Sequence, residues 1–145
     1  MSRKTRGFTL VEILIVVIIL GILAAIVIPQ FTNASNDARN NSVASTLQTL
    51  RGQIELYKIQ HADTPPAAAT LATLMTTKTD ATGAATTATT GFGPYVQAFP
   101  TNPANGWNAV TTGTATANYG WTYSVSGSQY TVSAVDTSGG GVLTY

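Results

Sequence analysis

The sequence predicts an α+β chain in which one long N-terminal helix packs against a small C-terminal antiparallel sheet. Three observations predict it. An apolar run fills residues 8–28, a helical spacing of apolar residues continues to Tyr57, and two alternating segments near the C-terminus flank a Ser-Gly-Ser turn. Hydrophobic residues make up 44% of the chain and charged residues 9%, against about a quarter charged in an ordinary soluble domain. The apolar excess sits in the first 28 residues, whereas the second half is Thr, Ala, Gly, Ser and Asn with scattered aromatics. Two different solvents are implied. A chain of 145 residues that gives roughly 30 of them to a membrane segment has enough left for one modest globular domain.

The first element is FTLVEILIVVIILGILAAIVI, 21 residues from Phe8 to Ile28 with one charge, Glu12. At about 1.5 Å per residue it is long enough to cross a hydrocarbon layer of about 30 Å. Arg3, Lys4 and Arg6 precede it and hold that end in the cytoplasm, which places the remainder on the far side of the membrane. These three are part of a total of seven basic residues. The body is therefore mildly acidic and has no Lys/Arg stripe to neutralise phosphates, so no nucleic-acid contact is expected.

Glu12 needs a physical account, because a lone carboxylate near the bilayer centre costs about 2.5 to 3.5 kcal/mol on insertion scales. Three readings are open from the residues alone. The carboxylate lies close enough to the helix start to reach headgroups and the positive end of the helix dipole; or it is tolerated drift; or it pairs with a cation supplied by processing or by a neighbouring subunit.

The residues around it, RGFTLVEILIVVIILGILAAIVIPQF, resemble the type III signal peptide of type IV pilins, pseudopilins and their archaeal relatives. The resemblance rests on a short basic leader ending in Gly7, an aromatic Phe8, Thr9-Leu10-Val11, Glu12 at the fifth position after the glycine, and an apolar run closing at Pro29. It implies a pilin-like fold, cleavage by prepilin peptidase between Gly7 and Phe8, and N-methylation of Phe8. It also implies pairing of Glu12 with the Phe8 amine of a neighbouring subunit during assembly. An ordinary secretory signal peptide has a similar basic and apolar plan, but here the run is long, carries a carboxylate, and lacks a small-x-small cleavage site at Ala24-Ala25-Ile26.

Pro29 removes one helix hydrogen bond and crowds the preceding turn, so a bend or loosening is expected near Ala25 to Ile28, with Gly21 a second weak point. Beyond it Val43, Leu47, Leu50, Ile54 and Tyr57 recur at spacings of four, three, four and three, the seam of an amphipathic helix. The helix is expected to run from Phe8 to about His61 and to end before Pro65-Pro66. On its polar face Arg39, Arg51, Glu55 and Lys58 are expected in solvent, with Glu55 and Lys58 as a weak surface pair. His61, the only histidine, is expected to cap the helix end or to be exposed.

Residues 67–90 are mostly Ala and Thr and read as flexible loop, with Leu71 to Met75 as one or two helical turns. Gly91 to Trp107 mixes turn formers with Phe92, Tyr95, Val96 and Phe99. That segment resembles the region before the C-terminal sheet in major pseudopilins of type II secretion. Tyr119 to Val125 and Gln129 to Val135 alternate about Ser126-Gly127-Ser128 and predict a hairpin. Trp121, Tyr123, Val125, Tyr130, Val132 and Ala134 form the face laid on the helix.

No catalytic constellation emerges. The chain has no cysteine, and its remaining acids are scattered at Asp37, Glu55, Asp63, Asp80 and Asp136. The Ser138 to Gly141 run has no following helix and does not fit a phosphate loop. The resemblance implies a calcium site in the C-terminal loops, yet only Asp136 lies nearby, so no cofactor and no metal ligands are assigned. The expected plan is a leader at 1–7, a transmembrane helix at 8–28, the soluble half of the helix at 29–62, a variable connection at 63–106, and a β region at 107–145. The resemblance implies a filament subunit, most like a major pseudopilin, that sits in the bacterial inner membrane before assembly. Its partners would be further copies of itself, minor pilins or pseudopilins, prepilin peptidase, and the inner-membrane assembly platform with its ATPase. A surface pilus and a monomeric membrane-anchored binding module are the alternatives.

Overall fold

The computed structural model describes residues 7–137 and 141–143; the leader charges Arg3, Lys4 and Arg6 lie outside them. Helix α1 runs from Leu10 to Gln60, 51 residues, and carries Pro29 internally without ending. The chain divides into residues 1–38 and 39–145, a boundary that falls inside α1.

In the first unit every large apolar side chain from Leu10 to Ile28 is exposed, between 43% at Val27 and 81% at Leu10. A continuous apolar surface of this length is unstable in water and requires lipid or other helices around it. Next to Pro29 the Thr32 hydroxyl donates to the Ile28 carbonyl at 3.2 Å, a back-bond that holds a polar side chain on an apolar helix.

In the second unit the expected seam is the core. Val43, Leu47, Leu50, Ile54 and Tyr57 are at most 3% exposed and pack with Leu71, Leu74, Met75, Tyr95, Trp121, Tyr123, Val132 and Ala134. Burying each such aliphatic side chain contributes about 1.5–3 kcal/mol. After Gln60 the helix is closed by Asp63 N donating to the Lys58 carbonyl at 2.9 Å, with Ala62 and Asp63 in left-handed conformation. Pro65 and Pro66 follow, buried, and cannot continue it. A 3-10 turn at Ala68–Thr70 leads into α2, Leu71–Thr76, whose Leu71, Leu74 and Met75 face the core as expected.

The sheet has four strands in the order β1 (Val110–Thr111), β2 (Trp121–Ser126), β3 (Gln129–Val135), β4 (Val142–Leu143). The expected hairpin is β2 and β3, in register from Trp121 opposite Ala134 to Ser126 opposite Gln129. Its turn is two residues, Gly127 and Ser128, with Gly127 at φ 61°, the left-handed first position that two-residue hairpins use. The sheet is mixed rather than wholly antiparallel, because β1 runs parallel to β2. Two-residue strands show no periodicity, so β1 and β4 leave no pattern to read.

The expected packed face holds for Trp121, Tyr123, Val132 and Ala134. Val125 departs from it at 37% exposed. It pairs with Tyr130 next to the turn, where the sheet runs past the end of the core; Tyr130 is half-covered and donates its hydroxyl to the Arg51 carbonyl at 3.3 Å. Inside the core the Tyr123 hydroxyl donates to the Pro66 carbonyl at 3.0 Å, and burial pushes its titration upward. Tyr123→Phe is expected to lower unfolding free energy by about 1 kcal/mol, since it leaves a buried carbonyl without its donor. Denaturant unfolding of the full chain in detergent measures this, and an unchanged midpoint would contradict it.

Candidate assembly site at the start of the long helix

Gly7, Phe8 and Thr9 have no regular structure, and α1 begins at Leu10. Phe8 is 76% exposed, and a Cβ built on Gly7 meets nothing within 4 Å. The Gly7–Phe8 peptide bond, the expected cleavage point, lies outside the helix.

Thr9 starts the helix. Its amide donates to Glu12 Oε2 at 2.8 Å and its hydroxyl to the same oxygen at 2.7 Å, while Glu12 N donates back to Thr9 Oγ1 at 3.3 Å. This reciprocal pair is a capping box, Thr at the cap and Glu three residues later, which satisfies donors that the first helical turn leaves open. None of the three sequence readings of Glu12 considered this partner. The signal was legible nevertheless, since Ser/Thr-x-x-Glu ahead of an apolar run is the box's signature. The arrangement brings Thr9 and Glu12 together beside Phe8 at the positive end of α1, where an anion is favoured. In the uncleaved chain the Phe8 nitrogen is a peptide nitrogen and carries no charge.

Pro29 and Gly21 lie along the exposed apolar stretch of α1, and Gly21 has open space where a side chain would be. Three charged or polar residues of the second unit are more buried than expected. His61 caps the helix end, one of its two expected places, through the Tyr57 carbonyl, but it is buried there: it is 4% exposed and stacked on Tyr57 with ring centroids 3.9 Å apart. Its ring nitrogens lie 2.7 Å from the Tyr57 carbonyl and 2.9 Å from the Asp80 carbonyl. It ties the end of α1 to the loop after α2. Lys58 is buried, its ammonium 3.4 Å from Asp63 and 3.6 Å from Glu55 and over the Tyr130 ring. Arg51 is half-buried and donates to the Val132 carbonyl at 3.2 Å. Both reach the sheet because their long apolar stems pack along it while the charges find partners at its margin.

The Ala/Thr-rich segment has more structure than expected. Thr79 pairs with Ala85 and with Phe92 in short bridges. The Asp80 carboxylate accepts from the Thr82 hydroxyl at 2.6 Å, the Thr82 amide at 2.8 Å and the Ala84 amide at 3.1 Å. These bonds, the Thr82 hydroxyl first, hold its titration below the usual carboxylate range. A carboxyl with a depressed folded value adds stability above its unfolded value and loses it as pH falls through the folded value. The turn is therefore expected to loosen in acid, below the ordinary carboxylate range. Thr82 and Ala84 amide shifts in an acid titration followed by NMR check this: Asp80→Asn should remove the transition, and an identical transition in that variant would refute it.

The second unit also contains a polar hub that sequence reasoning missed. Asn102 is fully buried and donates through Nδ2 to the Gly120 carbonyl at 2.7 Å and the Val135 carbonyl at 2.8 Å, while Oδ1 accepts the Ala104 amide at 2.9 Å. Its main-chain amide donates to the Trp107 carbonyl at 2.8 Å. Gly120 admits this close approach, since a Cβ there would run into the Trp107 carbonyl oxygen. Hydrogen-bonding capacity at one asparagine leaves no periodic trace, though Asn in a Pro-rich connection is a turn signal.

The implied calcium site can be weighed against these loops. The Asp136 amide donates to the Gly141 carbonyl at 3.1 Å, and its carbonyl accepts the Asn105 side chain at 3.4 Å. Among the described residues no group of three His, Cys, Asp or Glu is placed to hold a metal. One carboxylate falls short of the charge that calcium sites gather, so the described residues do not fit the ion.

Comparison with known proteins agrees with both halves of the chain. A family model described as the prokaryotic N-terminal methylation motif matches residues 2–28, and one described as type II secretion system (T2SS), protein G matches residues 30–126. The type II secretion system core protein G of Dickeya chrysanthemi is 37% identical over 65 residues, 45% of this chain and 42% of that protein. The protein of the same name from Klebsiella pneumoniae is 38% identical over 63 residues, 43% of this chain and 45% of its own. That of Pseudomonas aeruginosa is 36% identical over 63 residues, 43% and 44% respectively. The chain spans under half the length of the curated relatives it matches. No solved structure matches it.

Proposed function

From the premise that this chain belongs to the protein G family of type II secretion systems, we propose that it is a structural subunit of a pseudopilus, assembled through its apolar helix. The observation that carries the proposal is the unbroken helical surface of residues 10–28, exposed along its whole length and headed by a single carboxylate held against Thr9. Lipid covers that surface before assembly, and the same surface of further copies covers it afterwards, through head-to-tail contacts that generate a helix.

Processing supplies the charge. Prepilin peptidase cuts after Gly7 on the cytoplasmic face, where Arg3, Lys4 and Arg6 hold the leader, and the new Phe8 amine is methylated. Glu12 exchanges its capping partner for the Phe8 amine of a neighbouring subunit. An ion pair in low dielectric adds little net stability but strands a charge when mismatched, so it selects one axial step. Pro29 and Gly21 mark where the helix yields as the subunit leaves the membrane. Minor pseudopilins, the inner-membrane platform and its ATPase are the partners of this cycle, which is assembly rather than catalysis. The test is mass spectrometry of the mature N-terminus. A methylated Phe8 is expected; a chain that keeps Met1 would overturn the proposal.

A further inference from the structure

The chain contains one Asn-Gly pair, Asn105-Gly106, in the turn that closes around Asn102. Gly106 lies at φ 79° with open space around the missing side chain. Nothing steric impedes its nitrogen from approaching the Asn105 side chain once the turn is free to move. In the folded chain both reacting groups are tied. Gly106 N donates to the Asn102 carbonyl at 2.8 Å. Asn105 Nδ2 donates to the Tyr119 carbonyl at 2.9 Å, and also lies 3.3 Å from that of Val135 and 3.4 Å from that of Asp136. Asn105 Oδ1 accepts the Trp107 amide at 3.0 Å.

We propose that Asn105 is a latent self-modification site: it deamidates only when the 102–107 turn opens, and the product cannot close the turn again. In the reaction Gly106 N attacks the Asn105 side-chain carbonyl carbon. A C–N bond forms, the bond to Nδ2 breaks, and ammonia leaves with the glycine amide proton. Water then opens the succinimide ring at one carbonyl or the other, giving aspartate or isoaspartate. Either product puts carboxylate oxygens where a donor faced three carbonyl oxygens, and a buried or half-buried acceptor without a donor is costly. Isoaspartate also adds a methylene to the main chain between Asn102 and Trp107, whose backbone bond joins the two ends of the turn. Subunits that react while the connection is open are thereby marked and removed from the population that refolds.

The full chain in detergent, held folded or unfolded in denaturant at mildly alkaline pH, tests this by peptide mass analysis across residues 105–106. The amide-to-acid change is expected to accumulate at least about tenfold faster in the unfolded chain, because the folded one reacts only through its opened fraction. Gly106→Ala should slow it in both states. Asn102→Ala, which loosens the turn, should raise the folded rate toward the unfolded one. Equal rates in folded and unfolded wild-type chain would overturn the protected site. The one-way mark has its own check: Asn105→Asp is expected to lower or abolish the unfolding midpoint, and an unchanged midpoint would overturn it.

Discussion

Glu12→Ala is expected to insert into the membrane normally and to lower filament yield at least about tenfold, the effect of losing roughly 1.4 kcal/mol per subunit contact. Insertion should survive because removing a carboxylate from an apolar helix lowers its transfer cost. On the proposed pairing, assembly should fail because the Phe8 amine that cleavage would free lacks its counter-ion in low dielectric. Alanine alone would not separate that explanation from a frayed helix start, since Glu12 also completes the capping box with Thr9. Glu12→Gln separates them. Glutamine keeps the box, as Gln serves at that position as well as Glu, but removes the charge. Thr9→Val does the reverse, retaining the carboxylate and losing one of its two donors. Pairing across subunits requires Glu12→Gln to fail as badly as Glu12→Ala, with Thr9→Val milder. Sheared filaments quantified by immunoblot, with membrane fractions as the insertion control, give the answer. Normal yield from Glu12→Gln would leave capping as the residue's whole role.

Asn102→Ala is expected to destabilise the second unit by about 3 kcal/mol or more. Its side chain satisfies the carbonyls of Gly120 and Val135 and the amide of Ala104 in a fully buried position, and each buried group left without a partner costs about 1–3 kcal/mol. Asn102→Asp should be at least as damaging, because a carboxylate offers no donor to the two carbonyls. The residue joins the connection before β1 to the start of β2 and the end of β3, so its loss uncouples the sheet's parallel edge from its centre. Urea unfolding of the full chain in detergent, read by tryptophan fluorescence, should show the midpoint falling in both variants. A shift no larger than that of Tyr123→Phe would refute the hub.

Much of the architecture was legible because it follows from periodicity. The seam Val43, Leu47, Leu50, Ile54 and Tyr57 marks one face of a helix whatever packs on it, and the structure buries all five. The hairpin was legible for the same reason, with Gly127 placed where the turn needs a left-handed residue. The signal residues Gly7, Phe8 and Glu12 were legible as a motif. Departures fall where a side chain's fate depends on what the chain brings beside it. Lys58 and Arg51 look like solvent-facing charges on a polar helix face, but a sheet margin reaches them and supplies acceptors and an aromatic ring. His61 looks like a terminal polar residue until the loop carrying Thr79 and Asp80 folds over it.

The sequence by itself determined the membrane-length apolar helix, its amphipathic continuation, the processing motif and the β2–β3 hairpin, because each is a local pattern whose physics acts within a few residues. Only the tertiary structure decided the parallel β1 strand, the Asn102 hub, the burial of His61 and the close approach at Gly120. Those depend on contacts between segments far apart in the chain, such as Asn102 with Val135. Hydrogen-bond partners at such separations follow from packing, which no local spacing of residue types encodes.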